Sequence, residues 1–164
     1  MSELAFKSAT ELAAMIRAKE ISAVELLEHY LDRVERYNPD LNAIIVLDVG
    51  RARARAREAD AALAKGEVWG SLHGVPMTIK ESYNVAGLPT TNGRPEMKDN
   101  IAEADALAVE RLKDAGVGLF GKTNVPLNLA DFQSYNEVYG TTNSPWDLKR
   151  VPGGSSGVSA AALA

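Results

Sequence analysis

Apolar residues recur at helical spacing near the start of the chain, each time behind a sequence that caps a helix. Ser8-Ala9-Thr10-Glu11 has the Ser-x-x-Glu form of a capping box, and apolar residues follow it every three or four positions. Ser22-Ala23-Val24-Glu25 repeats this form before a second apolar stripe. The pattern predicts two short amphipathic helices, the second of which ends where Asn38-Pro39-Asp40 interrupts it.

The next stretch combines a short apolar run with a basic helix. Residues 43–47 are typical of a strand, and a third helix is predicted from about residue 51 to residue 64, with Gly66 as its stop. Four arginines alternate with alanine at the start of this helix, which is also the composition of an RNA-binding stripe. Alternate residues fall on different sides of a helix, and acidic residues follow at ion-pairing distance. We therefore interpret the arginines as a solvated helix surface.

From residue 69 onward, glycine and proline separate short apolar segments. Residues 75–79 and 117–120 are predicted to be strands, and residues 103–115 carry apolar side chains at helical spacing. Strands that alternate with helices are typical of an α/β fold with a largely parallel sheet. Residues 158–164 have high helix propensity and stop without a capping signal, so we expect the chain to be the first part of a longer protein.

Composition narrows the classes of function. The 164 residues include 22 acidic and 18 basic side chains, a balance that disfavours nucleic-acid binding because such binding depends on neutralising phosphates. Cysteine is absent, which excludes disulfides, thiolate nucleophiles and cysteine zinc sites. The sequence has neither a signal core at its N-terminus nor an apolar run of membrane length, so we expect a cytoplasmic protein that does not enter a membrane.

One glycine-rich segment matches two nucleotide-binding motifs at once. Residues 116–123, Gly-Val-Gly-Leu-Phe-Gly-Lys-Thr, satisfy both the phosphate-loop pattern and the dinucleotide fingerprint. Both motifs require a strand before the glycines and a helix N-terminus after them. Here a predicted helix precedes the glycines, and Pro126 follows closely. We therefore predict a helix stop at Gly116 followed by a core strand, and no nucleotide binding.

Two local features indicate catalytic chemistry, and each has an ordinary structural alternative. Lys80 ends a predicted apolar strand, where partial burial lowers the pKa of an ammonium and lets it act as a base. The alternative is a snorkelling lysine or an ion pair with Glu81. Gly153-Gly154-Ser155-Ser156-Gly157 opens onto a helix of small residues, which places amides and hydroxyls at a positive helix end. The alternative is a flexible loop with a helix cap.

Several segments occur together in an order that resembles the amidase-signature family. They are residues 72–81, 86–91, 121–126, 139–146 and 152–157. The resemblance implies an α/β fold, the N-terminal part of the amidase-signature fold, in which a mixed, largely parallel sheet is flanked by helices. It also implies one incomplete domain, with a mainly helical lead-in over residues 1–66 and the start of the catalytic core over residues 67–164.

The resemblance implies that amides are hydrolysed through an acyl-enzyme by a Ser-Ser-Lys arrangement, without metal or organic cofactor. Lys80 matches the family's base, and Ser155 matches the serine that relays the proton and that follows a cis peptide bond. The nucleophilic serine belongs to a later glycine-serine motif, beyond Ala164, so we expect this chain alone to be inactive. Leu129 and Ser156 are the candidates for contact with a small-molecule amide substrate.

The resemblance leaves alternatives open. The A subunits of glutamyl-tRNA amidotransferases usually carry Met-Asp-Glu-Phe where this chain has Val125-Pro126-Leu127-Asn128, which favours a stand-alone amidase. A non-catalytic remnant that binds amides or a partner is the third hypothesis. The family usually has glycine in place of Val158, so we expect strain there if that position needs a positive φ. Unpaired strand edges and apolar helix faces predict self-association or a homo-oligomer.

Overall fold

The computed structural model of the protein describes residues 4–164. The N-terminal stretch in which a signal core would lie begins with residues 1–3, which are outside the described residues. The helices are Ala9–Arg17 (α1), Ala23–Leu41 (α2), Val49–Ala64 (α3), Leu107–Asp114 (α4) and Gly157–Leu163 (α5). The strands are Ile44–Leu47 (β1), Pro76–Lys80 (β2), Gly118–Thr123 (β3), Tyr135–Asn136 (β4) and Gly140–Thr141 (β5). Short 3-10 turns lie at Leu4–Phe6, Pro95–Met97 and Leu127–Leu129.

Both predicted capping boxes are present. The Ser8 N–H donates to the Glu11 carboxylate at 2.7 Å, and the Glu11 N–H donates to the Ser8 hydroxyl at 3.3 Å. Ser22 and Glu25 make the same pair of bonds at 2.9 and 3.1 Å. Each box satisfies two amide groups that a helix N-terminus otherwise leaves without partners, which explains why α1 and α2 begin where they do.

The second helix is longer than the sequence predicts. α2 continues through Pro39 and ends at Leu41, followed by Asn42 with a left-handed φ of 51°. The Asn38 side chain accepts hydrogen bonds from two backbone N–H groups after the helix, at 2.9 and 2.8 Å. The predicted break was therefore misplaced, because proline removes only one donor and Asn38 fixes the turn that follows.

The fourth helix is shorter than predicted, because its first turn is used elsewhere. α4 starts at Leu107 instead of residue 103. The Asp105 carboxylate accepts a hydrogen bond from the Ala86 N–H at 2.8 Å, and the Ala106 N–H donates to the Asn84 carbonyl at 3.0 Å. These contacts hold the residues before the helix in a loop. Gly116 follows the helix with a φ of +96°, as predicted for its stop.

The central sheet has three strands in the order β1-β3-β2 and is mixed. β1 and β3 are antiparallel, with Ile44 opposite Thr123. The Gly118 N–H donates to the Val75 carbonyl, and the Glu81 N–H donates to the Thr123 carbonyl. The paired positions increase in number together along both strands, so β2 and β3 are parallel. At Gly121 a side chain would lie 2.6 Å from the Val46 carbonyl, so only glycine allows the two strands to approach this closely.

The described chain divides into two compact units. The first comprises residues 4–34, Asp48–Met77 and Glu110–Phe120, and its core consists of aliphatic residues and small alanines from α1, α2 and α3. The second comprises Glu35–Leu47, Thr78–Val109 and Gly121–Ala164, and buries several charged and polar side chains beside its aliphatic core. Among the residues described, no helix is both long and apolar enough to cross a membrane.

The arginines of α3 lie on its surface, as predicted. Arg53 pairs with Glu28 at 2.6 Å, and Arg55 lies 3.7 Å from the Glu58 carboxylate. Asp60, by contrast, accepts hydrogen bonds from the first amides of α2 at 2.7 and 3.2 Å. This carboxylate therefore caps a neighbouring helix instead of pairing along its own.

Candidate active site

Lys80 and Ser155 meet although 75 positions separate them in the chain. Lys80 is the last residue of β2, and its Nζ lies 2.9 Å from the Ser155 Oγ. The same amine lies 3.1 Å from the Ser156 Oγ. The distance to Ser155 is that of a direct hydrogen bond. Lys80 therefore faces two hydroxyl groups at the carboxyl end of its strand.

The loop of residues 153–157, which we call the serine loop, is held by a second loop of the same unit. The Gly154–Ser155 peptide is cis, as the family resemblance implied. A side chain on Gly154 would lie 2.6 Å from the Gln133 carbonyl, and the Ser134 hydroxyl donates to the Gly153 carbonyl. The serine loop thus packs closely on residues 131–134. This close packing requires glycine at position 154 and fixes the direction in which Ser155 points.

Ser156 is the N-cap residue of α5, yet its side chain makes no capping bond. Its hydroxyl instead reaches Lys80, so the structure places this predicted substrate-binding residue beside the lysine. Val158 lies in the first turn of α5 and is fully buried. The strain that we expected at Val158 is not found, because the position is helical and does not need a positive φ. The need for glycine falls on Gly157, where a side chain would lie 2.8 Å from the Pro152 carbonyl.

Burial favours the neutral form of the Lys80 amine. The side chain is partly buried, and this desolvation lowers the pKa of its ammonium below the usual value for lysine. A neutral amine has a lone pair that accepts a proton, whereas an ammonium does not. A serine hydroxyl both donates and accepts. The pair can therefore pass a proton from the Ser155 hydroxyl to the Lys80 amine.

The predicted contact residue Leu129 lies in the Leu127–Leu129 turn of the same unit. Both Asn128 and Leu129 have left-handed backbones there, with φ of 52° and 60°. Leu129 is 36% exposed and Leu127 is 47% exposed, so both present apolar surface. The chain continues from this turn into residues 131–134, which pack on the serine loop.

The sequence suggested Glu81 only as an ion-pair partner of Lys80 and did not indicate the buried charges around it. Glu81 is completely buried, and its carboxylate accepts hydrogen bonds from the Thr91 and Asn92 N–H groups and the Tyr139 hydroxyl. Lys122 is also completely buried. The one available signal was the alternation of a strand, which directs consecutive residues such as Lys80 and Glu81 to opposite faces.

The glycine-rich segment forms the helix stop and core strand that the sequence predicted. Residues 118–123 form the core strand β3, and the ammonium of Lys122 donates to the Pro89 carbonyl and to the Thr90 hydroxyl, the latter at 2.9 Å. A phosphate loop needs a helix N-terminus after its glycines. Here the chain continues instead through Pro126 into a 3-10 turn.

One of the two histidines of the first unit, His73, has a structural role. His73 is fully buried, its Nδ1 accepts a hydrogen bond from the Trp69 N–H at 3.1 Å, and its Nε2 lies 3.0 Å from the Ala59 carbonyl. Both ring nitrogens are thereby engaged with backbone groups. In the part of the chain that the structure describes, no three His, Cys, Asp or Glu side chains are grouped to hold a metal ion.

Comparison with known proteins finds a matching family model and several similar sequences. A sequence model of the Amidase family matches residues 25–164. The A subunit of the glutamyl-tRNA(Gln) amidotransferase of Acidothermus cellulolyticus is 43% identical over 164 residues, covering 100% of this chain and 32% of that relative. An acylamidase of Rhodococcus erythropolis is 43% identical over 157 residues, covering 96% of this chain and 33% of that relative.

Solved structures of amidases and amide hydrolases superpose on this chain. A fatty acid amide hydrolase superposes with a TM-score of 0.92 at 29% identity, over 97% of this chain and 28% of that one. The 6-aminohexanoate cyclic dimer hydrolase superposes with a TM-score of 0.85 at 36% identity, over 98% of this chain and 33% of that one. The expected α/β fold class is thereby confirmed. The chain spans about a third of the length of these relatives.

Proposed function

The chain belongs to the amidase family, and on that premise we propose that the whole protein hydrolyses carboxamides to a carboxylate and an amine or ammonia. Lys80 acts as the base and Ser155 as the proton relay. The observation that carries the proposal is the 2.9 Å distance between the Lys80 Nζ and the Ser155 Oγ, at a strand end where burial lowers the pKa of the lysine.

The proposed reaction proceeds in two stages. The nucleophilic serine, which the family resemblance implies in a later glycine-serine motif, attacks the amide carbonyl carbon. Its proton moves to Ser155, whose own proton moves to Lys80. When the C–N bond breaks, the proton returns through Ser155 to the departing nitrogen. Water then attacks the acyl ester and gives its proton to the same relay. This step releases the carboxylate and restores the serine.

Ser156 and Leu129 are the proposed substrate contacts. Ser156 lies 3.1 Å from the Lys80 Nζ, close enough for its hydroxyl to bond a polar group of the substrate. Leu129 contributes exposed apolar surface from the turn that leads into residues 131–134. This pairing fits a small-molecule amide whose acyl group is apolar. We propose that the protein is cytoplasmic.

A second candidate function is the A subunit of a tRNA-dependent amidotransferase. It is supported by the 43% identity to such a protein over the whole chain. The acylamidase is equally identical over 157 residues, so identity does not separate the two. The segment Val125-Pro126-Leu127-Asn128 favours the stand-alone amidase, because it departs from the pattern usual in the A subunits.

Ammonia release from a panel of simple carboxamides tests the proposal. The protein that includes the sequence after residue 164 should turn over amides without any other subunit. Ser155→Ala should lower kcat/KM by about 10²- to 10⁴-fold, the usual contribution of proton transfer in catalysis. Ser144→Ala is the matched control, because Ser144 also lies in a loop of the second unit and bonds only backbone groups.

The outcomes separate the candidates. Release of ammonia that requires glutamyl-tRNA(Gln) and partner subunits would favour the amidotransferase. Equal turnover by Ser155→Ala and by the unaltered protein would contradict the relay. Residues 1–164 alone should release no ammonia. In the proposed mechanism Lys80 is the base and Ser155 the relay, and neither is the nucleophile that accepts the acyl group.

A further inference from the structure

Two charged side chains at the end of the β2–β3 strand pair are buried. Glu81 directly follows Lys80, and Lys122 lies on β3; neither Glu81 nor Lys122 exposes any surface. The Glu81 carboxylate attracts the Lys122 ammonium electrostatically, which partly offsets the lowering of the lysine's pKa by burial. The proposed hydrolysis uses neither group. Burying a charged side chain costs free energy unless hydrogen bonds and an opposite charge compensate for the lost solvation.

The two charges hold one four-residue segment, Pro89 to Asn92, from both ends. The Lys122 ammonium donates to the Pro89 carbonyl and the Thr90 hydroxyl. The Glu81 carboxylate accepts from the Thr91 and Asn92 amides, the latter at 3.0 Å. A cation thus binds the acceptors of this segment and an anion binds its donors. Hydrogen bonds to charged groups are stronger than neutral ones, so the segment is firmly fixed.

The segment passes this constraint to the apolar turn. The Asn128 N–H donates to the Asn92 carbonyl at 2.9 Å, in the middle of the Leu127–Leu129 turn. Left-handed backbone is unfavourable for leucine, so the turn needs such an external contact to keep Leu129 in place. The other end of the loop is fixed where Ser134 bonds the serine loop.

We infer that Glu81 and Lys122 are positioning residues, which hold the turn that carries Leu127 and Leu129 next to residues 131–134, the segment that packs on the serine loop, and thereby set the preference for an apolar acyl group. The inference rests on the proposed hydrolysis for its substrate and on the hydrogen-bond network for its geometry. The path has four parts: the buried pair, residues 89–92, the Asn92–Asn128 bond and the turn. Neither Glu81 nor Lys122 needs to touch the substrate.

Tyr139 supplies the third donor to Glu81, at 3.0 Å. Burial raises the pKa of Tyr139 to about 12, so its hydroxyl keeps its proton and remains a donor across the working pH range. Replacing Tyr139 removes one bond to the carboxylate and leaves both backbone bonds. It therefore offers a milder test of the network than replacing Glu81.

The test compares Glu81→Gln with Glu96→Gln in the whole protein. Both variants lose one negative charge, but Glu96 is exposed and lies 3.6 Å from the Arg94 Nε in a surface ion pair. The measured quantity is the ratio of kcat/KM for a long and a short aliphatic carboxamide, such as hexanamide and acetamide. This ratio does not depend on how much enzyme is folded, so a merely structural role leaves it unchanged. We expect Glu81→Gln to change it by about tenfold and Glu96→Gln to leave it unchanged.

Amide hydrogen exchange provides a readout that does not require activity. In Glu81→Gln the Asn128 N–H should exchange about tenfold faster than in the unaltered protein, and Glu81→Asp, which keeps the charge, should restore part of the protection. If the unaltered protein hydrolyses no amide, the proposed function fails and Asn128 exchange alone decides the inference. Unchanged Asn128 exchange overturns it, even if Thr91 and Asn92 exchange faster.

Tyr139→Phe keeps the inference testable if Glu81→Gln does not fold. We expect the acyl-length ratio to move in the same direction by about two- to threefold, because Tyr139 supplies only one of the three hydrogen bonds that the Glu81 carboxylate accepts. An unchanged ratio in both Tyr139→Phe and any folded Glu81 variant overturns the inference.

Discussion

Lys80 and Lys122 lie on neighbouring strands of one sheet, and burial lowers the pKa of both. Their partners differ. Lys80 is partly buried and faces two hydroxyl groups, which donate as well as accept. Lys122 is completely buried and faces the Pro89 carbonyl, which only accepts, and the Thr90 hydroxyl.

The difference explains why the same residue type suits two tasks. A neutral amine can accept a proton from a hydroxyl, so the surroundings of Lys80 permit exchange of protons. A carbonyl has no proton to give, so the bond from Lys122 to Pro89 can only be a fixed donor contact. Desolvation is common to both lysines, so it does not by itself distinguish the proposed base. The difference is that Lys80 faces two hydroxyl groups, whereas Lys122 faces a carbonyl group and one hydroxyl group.

Removing Lys80 should have the largest effect on activity. We expect Lys80→Met to lower kcat/KM for amides by about 10²- to 10⁴-fold, because the base is lost, and to change the free energy of unfolding by less than about 1 kcal/mol. Ammonia release and urea unfolding measure the two quantities. Lys149→Met, at an exposed position, is the control. Full activity in Lys80→Met would remove the distinction between the two lysines.

Removing Lys122 should have the largest effect on stability. Lys122→Met leaves the Pro89 carbonyl without its donor and the Glu81 carboxylate without its nearby cation. Breaking one side of a buried charged pair costs about 3–5 kcal/mol, and we expect a loss of about 3 kcal/mol in urea unfolding at pH 7. A change within about 0.5 kcal/mol, as expected for a surface substitution, would mean that the pair does not hold the fold.

The stability of the protein should also rise with pH through the titration of Lys122. Burial lowers the pKa of Lys122 from 10.5 to about 8 in the folded state. Between these values the unfolded chain binds more protons than the folded one, so the free energy of unfolding increases with pH. Measured as the difference between the unaltered protein and Lys122→Met, it should grow by about 2 kcal/mol from pH 7.5 to pH 10. A difference that is constant or falls would contradict the lowered pKa.

We expect no binding of nucleotides to the protein. ATP and NAD should give no saturable signal with the protein, because residues 118–123 form a core strand and Lys122 is engaged with Pro89 and Thr90. Isothermal titration measures this directly. A saturable signal that disappears in Lys122→Ala would show that Lys122 is available to a ligand.

The helix and strand positions followed from local signals, and the errors lie where tertiary contacts take over. Both capping boxes are at their predicted residues. The predicted helix at residues 103–115 loses its first turn because Asp105 bonds the Ala86 N–H, a contact that local propensity does not contain. Likewise, Asn38 and not Pro39 determines where the chain turns after α2.

The sequence by itself determined which residues carry the candidate chemistry. Lys80 and Ser155 were identified from segments in family order, because such segments keep the residue types that a reaction needs. The tertiary structure alone decided how these residues meet and what surrounds them. It brought Ser156 to Lys80 instead of the helix cap, and it placed Glu81 beside Lys122. Burial and contacts between distant segments depend on three-dimensional packing, and a local pattern of residues does not specify them.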